Sequence, residues 1–193
     1  MNSLATSTLT STVSQSLSSR RAVLRAAVRI VCVVLLTSLA AQLRIPVPGT
    51  DVPVTLQLLV VLVVGLALPV AEAVAGMALY VLLGAAGIPV LSPGSAGFMG
   101  PTGGYLLGFV AAVVVMAITC RGGHSMLRMF MTAALGAAIV LAAGTAWRAA
   151  WTSDWGLAVA TSAVPFVPKA LLEVLLAVAI VRHGRRWIGG ESS

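Results

Sequence analysis

Residues Val54–Val70 read VTLQLLVVLVVGLALPV, and this stretch decides the fold class. Its apolar side chains lack the period-two alternation that a strand with one wet face, or a membrane-barrel strand, requires. In hydrocarbon no water is present to bond exposed backbone N–H and C=O groups, so such a run satisfies them within itself, as an α-helix. The rest of the chain has the same character. Of 193 residues, 59% are hydrophobic and 9% charged. A soluble domain carries about 25% charged residues, so this chain has too little polar surface to face water. The class is an all-α integral membrane protein.

Crossing a hydrocarbon core of about 30 Å takes about 20 helical residues. The apolar runs predict six transmembrane helices, at 26–43, 54–70, 72–88, 105–120, 126–147 and 156–182. Leu68-Pro69-Val70-Ala71 allows only a tight re-entry between the second and third. The three prolines of RIPVPGTDVP (Arg44–Pro53) exclude a helix there. Pro165 and Pro168 make the start of the sixth helix kinked or irregular.

Charge sets the orientation. Arg20, Arg21, Arg25, Arg29, Arg121, Arg128, Arg182, Arg185 and Arg186 fall on one side, and only Arg44 and Arg148 on the other. Excess Lys and Arg marks the cytoplasmic face, which makes this a multi-pass protein of the cell (inner) membrane with both termini cytoplasmic. The chain divides into a disordered Ser/Thr-rich tail at 1–18, a membrane domain at 19–186 and a short cytoplasmic tail at 187–193. Ser19–Arg25, SRRAVLR, has the look of a twin-arginine export signal, but five further spans follow it and the arginines already serve as a cytoplasmic anchor.

The net charge of +7 does not indicate nucleic acid, because the basic residues form no face interleaved with aromatics. Cys32 and Cys120 are isolated in apolar runs, so no disulfide framework or metal site is expected. His124 and His183 lie in basic segments rather than inside a span, and no zinc-protease, nucleophile-elbow or phosphate-loop motif occurs. No catalytic residue, metal or resident cofactor is expected.

Charge inside a span costs a few kcal/mol, so it faces an interior cavity or a partner. Lys169 and Glu173, four apart on one helix face, are such charges. They could bind a ligand, form a structural ion pair, or serve as acid and base of a small membrane enzyme. Thr55, Gln57 and Tyr80 are further polar groups able to orient a small molecule or to bond between helices. Gly97–Phe109, GFMGPTGGYLLGF, holds five glycines and a proline in thirteen residues. Non-helical backbone at membrane depth survives where it lines a cavity, so 89–104 is expected to be an outward binding loop between helices three and four. Gly103 and Gly104, before Tyr105, are expected to supply positive φ or close backbone contact.

IPVPGTDVPVTLQLLVVLVVGL (45–66), ALYVLLGAAGIPVLS (78–92) and GPTGGYLLGF (100–109), in this order and spacing, resemble the biotin-specific S components (BioY family) of energy-coupling-factor (ECF) vitamin transporters. The match continues weakly through PFVP at 165–168. The resemblance implies a six-helix subunit that captures biotin, its transported ligand, from outside. It also implies delivery with a transmembrane coupling protein and a pair of ATPase subunits. That family places an acid and then a lysine after PF-x-P, whereas here the lysine, Lys169, precedes the acid, Glu173. Lys169 would hold the biotin carboxylate and Glu173 the ureido N–H groups, with Thr55, Gln57, Tyr80, Gly103, Gly104 and Tyr105 completing the site. A different small vitamin-like carboxylate is the alternative ligand, and a purely structural subunit is the alternative class.

Overall fold

The computed structural model describes residues 2–46, 52–93, 97–120 and 125–189. Asp51, Arg121, His124 and Glu191 lie outside them, as do the last residues of the expected tail. The helices are α1 (Asn2–Gln42), α2 (Gln57–Ala67), α3 (Val70–Ala85), α4 (Gly103–Thr119), α5 (Met126–Thr152), α6 (Trp155–Ser162) and α7 (Val167–Gly189). α6 and α7 form one run, broken by a 3-10 turn at Val164–Phe166 where the two prolines interrupt it. Ser19–Gln42, Met126–Thr152 and Trp155–Arg185 are long and apolar enough to cross a membrane, while α2, α3 and α4 are shorter apolar helices.

Several boundaries differ from expectation by a few residues, and three of the differences bear on the architecture. The backbone of α1 is helical from Asn2, although 2–18 shows no apolar period. That segment contains no Gly or Pro to stop a helix. α2 starts at Gln57 instead of 54, because Val54–Thr55 pairs antiparallel with Arg44–Ile45. Its 11 residues reach about 16 Å, roughly half of a hydrocarbon core. α4 starts at Gly103, so Gly103 and Gly104 belong to its first turn.

The all-round apolar α2 is the centre, with α1, α4, α5 and α7 packed on it. Leu58, Val61, Leu62, Val64 and Leu66 are buried there. The outer surface is also apolar. On α1, Leu24, Val28, Val31, Leu35 and Leu39 recur at helical spacing and are exposed, the expected lipid-facing stripe of a membrane helix. Val34 faces the core instead and is buried.

α4 and α5 make the most extensive helix pair. A Cβ on Gly108 would lie 3.0 Å from the Val140 Cα, so the two backbones approach as small residues allow in membrane helix pairs.

Gly87 ends α3. Its φ is +82°, and the Ile88 N–H to Leu83 C=O bond of 3.0 Å closes a Schellman turn. A Cβ here would meet nothing within 4 Å, so Gly87→Ala carries backbone strain alone. It is expected to destabilise by about 1–2 kcal/mol, seen as a lower melting temperature in detergent. No change in melting would mean that the turn relaxes without cost.

The two ends of the bundle differ. At one, Arg29 bonds both Glu72 carboxylate oxygens at 2.9 and 3.2 Å, and the Arg185 guanidinium donates to the Leu66 carbonyl at 3.2 Å. At the other, Arg44 donates to the Pro93 carbonyl, and Gln42 Nε2 to that of Leu91 at 3.3 Å. Trp147 Nε1 donates to the Gly100 carbonyl at 3.0 Å. These last three bonds tie the chain between α3 and α4 to the end of α1, to the strand residue Arg44 and to α5.

Candidate ligand cavity

Because α2 is short, space remains beyond its N-terminus, and the chain fills that space only in part. A cavity of about 670 Å3, its open mouth included, lies there. Val52, Pro53 and Thr55 of the extended segment line it together with Gln57 and Leu58 of α2. Leu91, Ser92 and Thr102 flank it from the segment before α4. Tyr105, Leu106 and Phe109 of α4, Val140 and Leu141 of α5, and Phe166 close the apolar walls. Lys169 is the one charged side chain on the wall among the described residues.

The polar groups are ordered from behind. Thr55 Oγ1 donates to Gln57 Oε1 at 2.9 Å, and Gln57 Nε2 donates to the Tyr80 hydroxyl at 2.7 Å. Tyr80 is fully buried and off the wall, so it fixes the Gln57 amide without reaching the cavity. The Tyr105 hydroxyl donates to the Ser162 carbonyl at 2.6 Å, and its ring stands 6.2 Å from that of Phe166. The Tyr105 ring lies on α5 where Gly144 has no side chain, and a Cβ there would collide with it. Lys169 Nζ donates to Glu173 Oε2 at 2.8 Å.

The wall thus brings together Thr55, Gln57, Tyr105 and Lys169 of the expected set. It does not include Tyr80, Gly103, Gly104 or Glu173. Both glycines are buried within α4 and neither has positive φ; that conformation belongs to Gly87 and Gly97. Gly104 instead makes its close approach to α5, where a Cβ would collide with Trp147 and the Ala143 carbonyl. Glu173 is 2% exposed and reaches the cavity only through Lys169.

Two polar wall residues escaped the sequence reading. The hydroxyl oxygens of Ser92 and Thr102 are buried and make no hydrogen bond. Buried polar atoms are rarely left unpartnered, so these two mark places where a ligand can bond. Serine and threonine carry no distinguishing signal within a loop. Phe109 was legible in principle, since it follows Tyr105 by one helical turn.

An apolar helical bundle with an open-mouthed cavity, its wall carrying one charged side chain among the described residues and several aligned polar groups, is the architecture of a membrane protein with room for a small polar-headed molecule. Comparison with known proteins specifies the family. The sequence profile described as the BioY family matches residues 9–190. The biotin transporter BioY2 of Lactococcus lactis subsp. cremoris (strain MG1363) is 36% identical over 148 residues, 70% of this chain and 80% of that protein. The probable biotin transporter BioY of Pyrococcus horikoshii is 31% identical over 153 residues, 78% of this chain and 90% of that one. The crystal structure of the S-component for biotin from an ECF-type ABC transporter superposes with a TM-score of 0.79 at 20% identity, covering 86% of this chain and 93% of that one. The chain belongs to the BioY family. Its matched relatives are named as transporters, not as enzymes.

Proposed function

We propose that the protein is the substrate-capturing membrane subunit of a biotin uptake system. It takes biotin from the outer side of the cell (inner) membrane and passes it inward with a transmembrane coupling protein and ATPase subunits. The observation that carries this reading is an apolar cavity with Lys169 as its charged wall residue, in a chain matched to the BioY family over residues 9–190.

All six helical runs then cross the bilayer, with α2 completed by the extended residues before it. Irregular backbone at that depth is tolerable because it lines the cavity. The Arg-rich end with Arg29, Arg182 and Arg185 faces the cytoplasm together with both termini. The cavity and the Gly-rich segment face outward.

Biotin suits the wall in three respects. Its valerate carboxylate takes the Lys169 ammonium in a charge-assisted bond. Its ureido group has one carbonyl and two N–H donors, which meet the Gln57 amide and the unpartnered hydroxyls of Ser92 and Thr102. Its thiophane ring and alkyl chain pack on Tyr105, Phe109 and Phe166. Tyr80 supports the site from behind Gln57, and Gly104 supports it by seating α4 on α5.

Isothermal titration of the detergent-purified protein with biotin, dethiobiotin and thiamine tests this. Heat is expected for the first two, which share the ureido and carboxylate groups, and none for thiamine. Equal heats for all three, or none for any, would remove biotin as the ligand.

A further inference from the structure

Glu173 has a place in the fold that the binding of an anion does not explain. Its carboxylate is 2% exposed, spends Oε2 on Lys169 at 2.8 Å, and leaves Oε1 without a hydrogen bond. Lys169 is the part of this pair that reaches the cavity wall.

The elements packed on α7 bring no other charge to Glu173. α2 contains no ionisable side chain, and neither does the 3-10 turn Val164–Phe166. On α5 the ionisable groups are Arg128 in the first turn and Arg148 in the last, and the stretch between them has none. On α7 itself Arg182, His183 and Arg185 lie more than two turns beyond Glu173. The backbone amide of Leu59, in the first turn of α2, lies near the carboxylate without making a hydrogen bond to Oε1. Among the described residues, Lys169 is the one charged group acting on it.

In the empty cavity the ammonium and carboxylate sum to zero. A ligand carboxylate arriving at Lys169 would leave one ammonium between two carboxylates, a net negative charge in an apolar surround. Isolated buried charge is costly, and a group so placed neutralises instead. We infer that Glu173 is a positioning residue: ionised, it holds Lys169 on the wall of the empty cavity, and it takes up a proton when the ligand carboxylate claims that lysine. The proton is released by a buffer acid and reaches the site through water: one bond to hydrogen breaks in the buffer, one O–H bond forms on the Glu173 carboxylate, and no other covalent bond changes. The inference rests on the biotin reading. Its consequence is that anionic biotin binds with uptake of about one proton, so that affinity falls as pH rises, by up to about tenfold per pH unit.

The test is titration of the full chain with biotin at one pH in two buffers of different ionisation enthalpy, phosphate and Tris. The expected heats differ by about one buffer deprotonation per biotin bound, whereas neutral biotinamide gives equal heats in both. In Glu173→Gln the biotin heats are expected to coincide and the pH slope to flatten. Buffer-independent heats for biotin in the unaltered protein overturn the inference while leaving biotin as ligand. Proton uptake that persists in Glu173→Gln places the proton on the ligand and also overturns it. If that variant does not fold, Glu173→Asp replaces it: this keeps an acid at the position and must retain the uptake, or Glu173 is not the acceptor. Absence of heat with biotin and biotinamide alike would reject the biotin reading, and the inference with it.

Discussion

Lys169→Met is expected to weaken biotin binding by roughly one to two decades, since a hydrogen bond to a charged group contributes about 1.5–3 kcal/mol. Biotinamide, which has no carboxylate, should lose little in the same variant. The buried position of Glu173 complicates the single change, because removing the lysine leaves a carboxylate that is 2% exposed without its cation. Breaking a buried pair from one side costs about 3–5 kcal/mol of stability, so the single variant should also melt earlier. Lys169→Met with Glu173→Gln separates the two effects. The double variant should regain the melting temperature, because two neutral side chains replace the pair, yet remain weak for biotin. Recovery of biotin binding in the double variant would make the pair purely structural and remove Lys169 as a ligand contact.

The second large effect is on the fold. Gly104→Val should destabilise the protein by about 3 kcal/mol, a melting shift of roughly 6–12 °C. The added Cβ would collide with Trp147 and with the backbone carbonyl of Ala143, and a backbone atom cannot move aside without displacing α5. The loss should extend to ligand binding. Tyr105 directly follows Gly104 on α4, and the Trp147 side chain that holds the Gly100 carbonyl at 3.0 Å would be pushed away. Gly184→Val is the matched comparison, since nothing lies within 4 Å of a Cβ there. It should stay within about 0.5 kcal/mol of the parent. Equal melting of the two variants would mean that the close α4–α5 approach is not required.

These expectations divide between what is local in the chain and what is not. The membrane class, the tight connection at Pro69, the break at Pro165 and Pro168, and the Lys169–Glu173 pair were all legible in the sequence. Each depends on residues within a turn or two of one another: an unbroken apolar run, a missing N–H, or a four-residue spacing on one helix face. Pairing across the chain was not legible. Gln57 bonds Tyr80 23 positions away, Trp147 bonds Gly100 47 away, and Tyr105 bonds Ser162 57 away. Nothing in the residue types of Thr55, Tyr80 or Glu173 says which of them faces a cavity and which stands behind another side chain.

The glycines show the same division. A Gly-rich segment beside apolar helices announced either a loop or a close approach, and both interpretations were open at Gly103 and Gly104. Tertiary packing resolved them into the first turn of α4 against α5, and placed the positive φ at Gly87 and Gly97. The cavity itself exists because α2 begins only at Gln57, where Val54–Thr55 is drawn into a strand pair with Arg44–Ile45. Hydrophobicity by itself thus determined that this chain forms helices in a membrane. Which helix faces meet, how closely, and where they leave room for a ligand was decided by side-chain volumes and backbone pairing that come together only in the folded bundle.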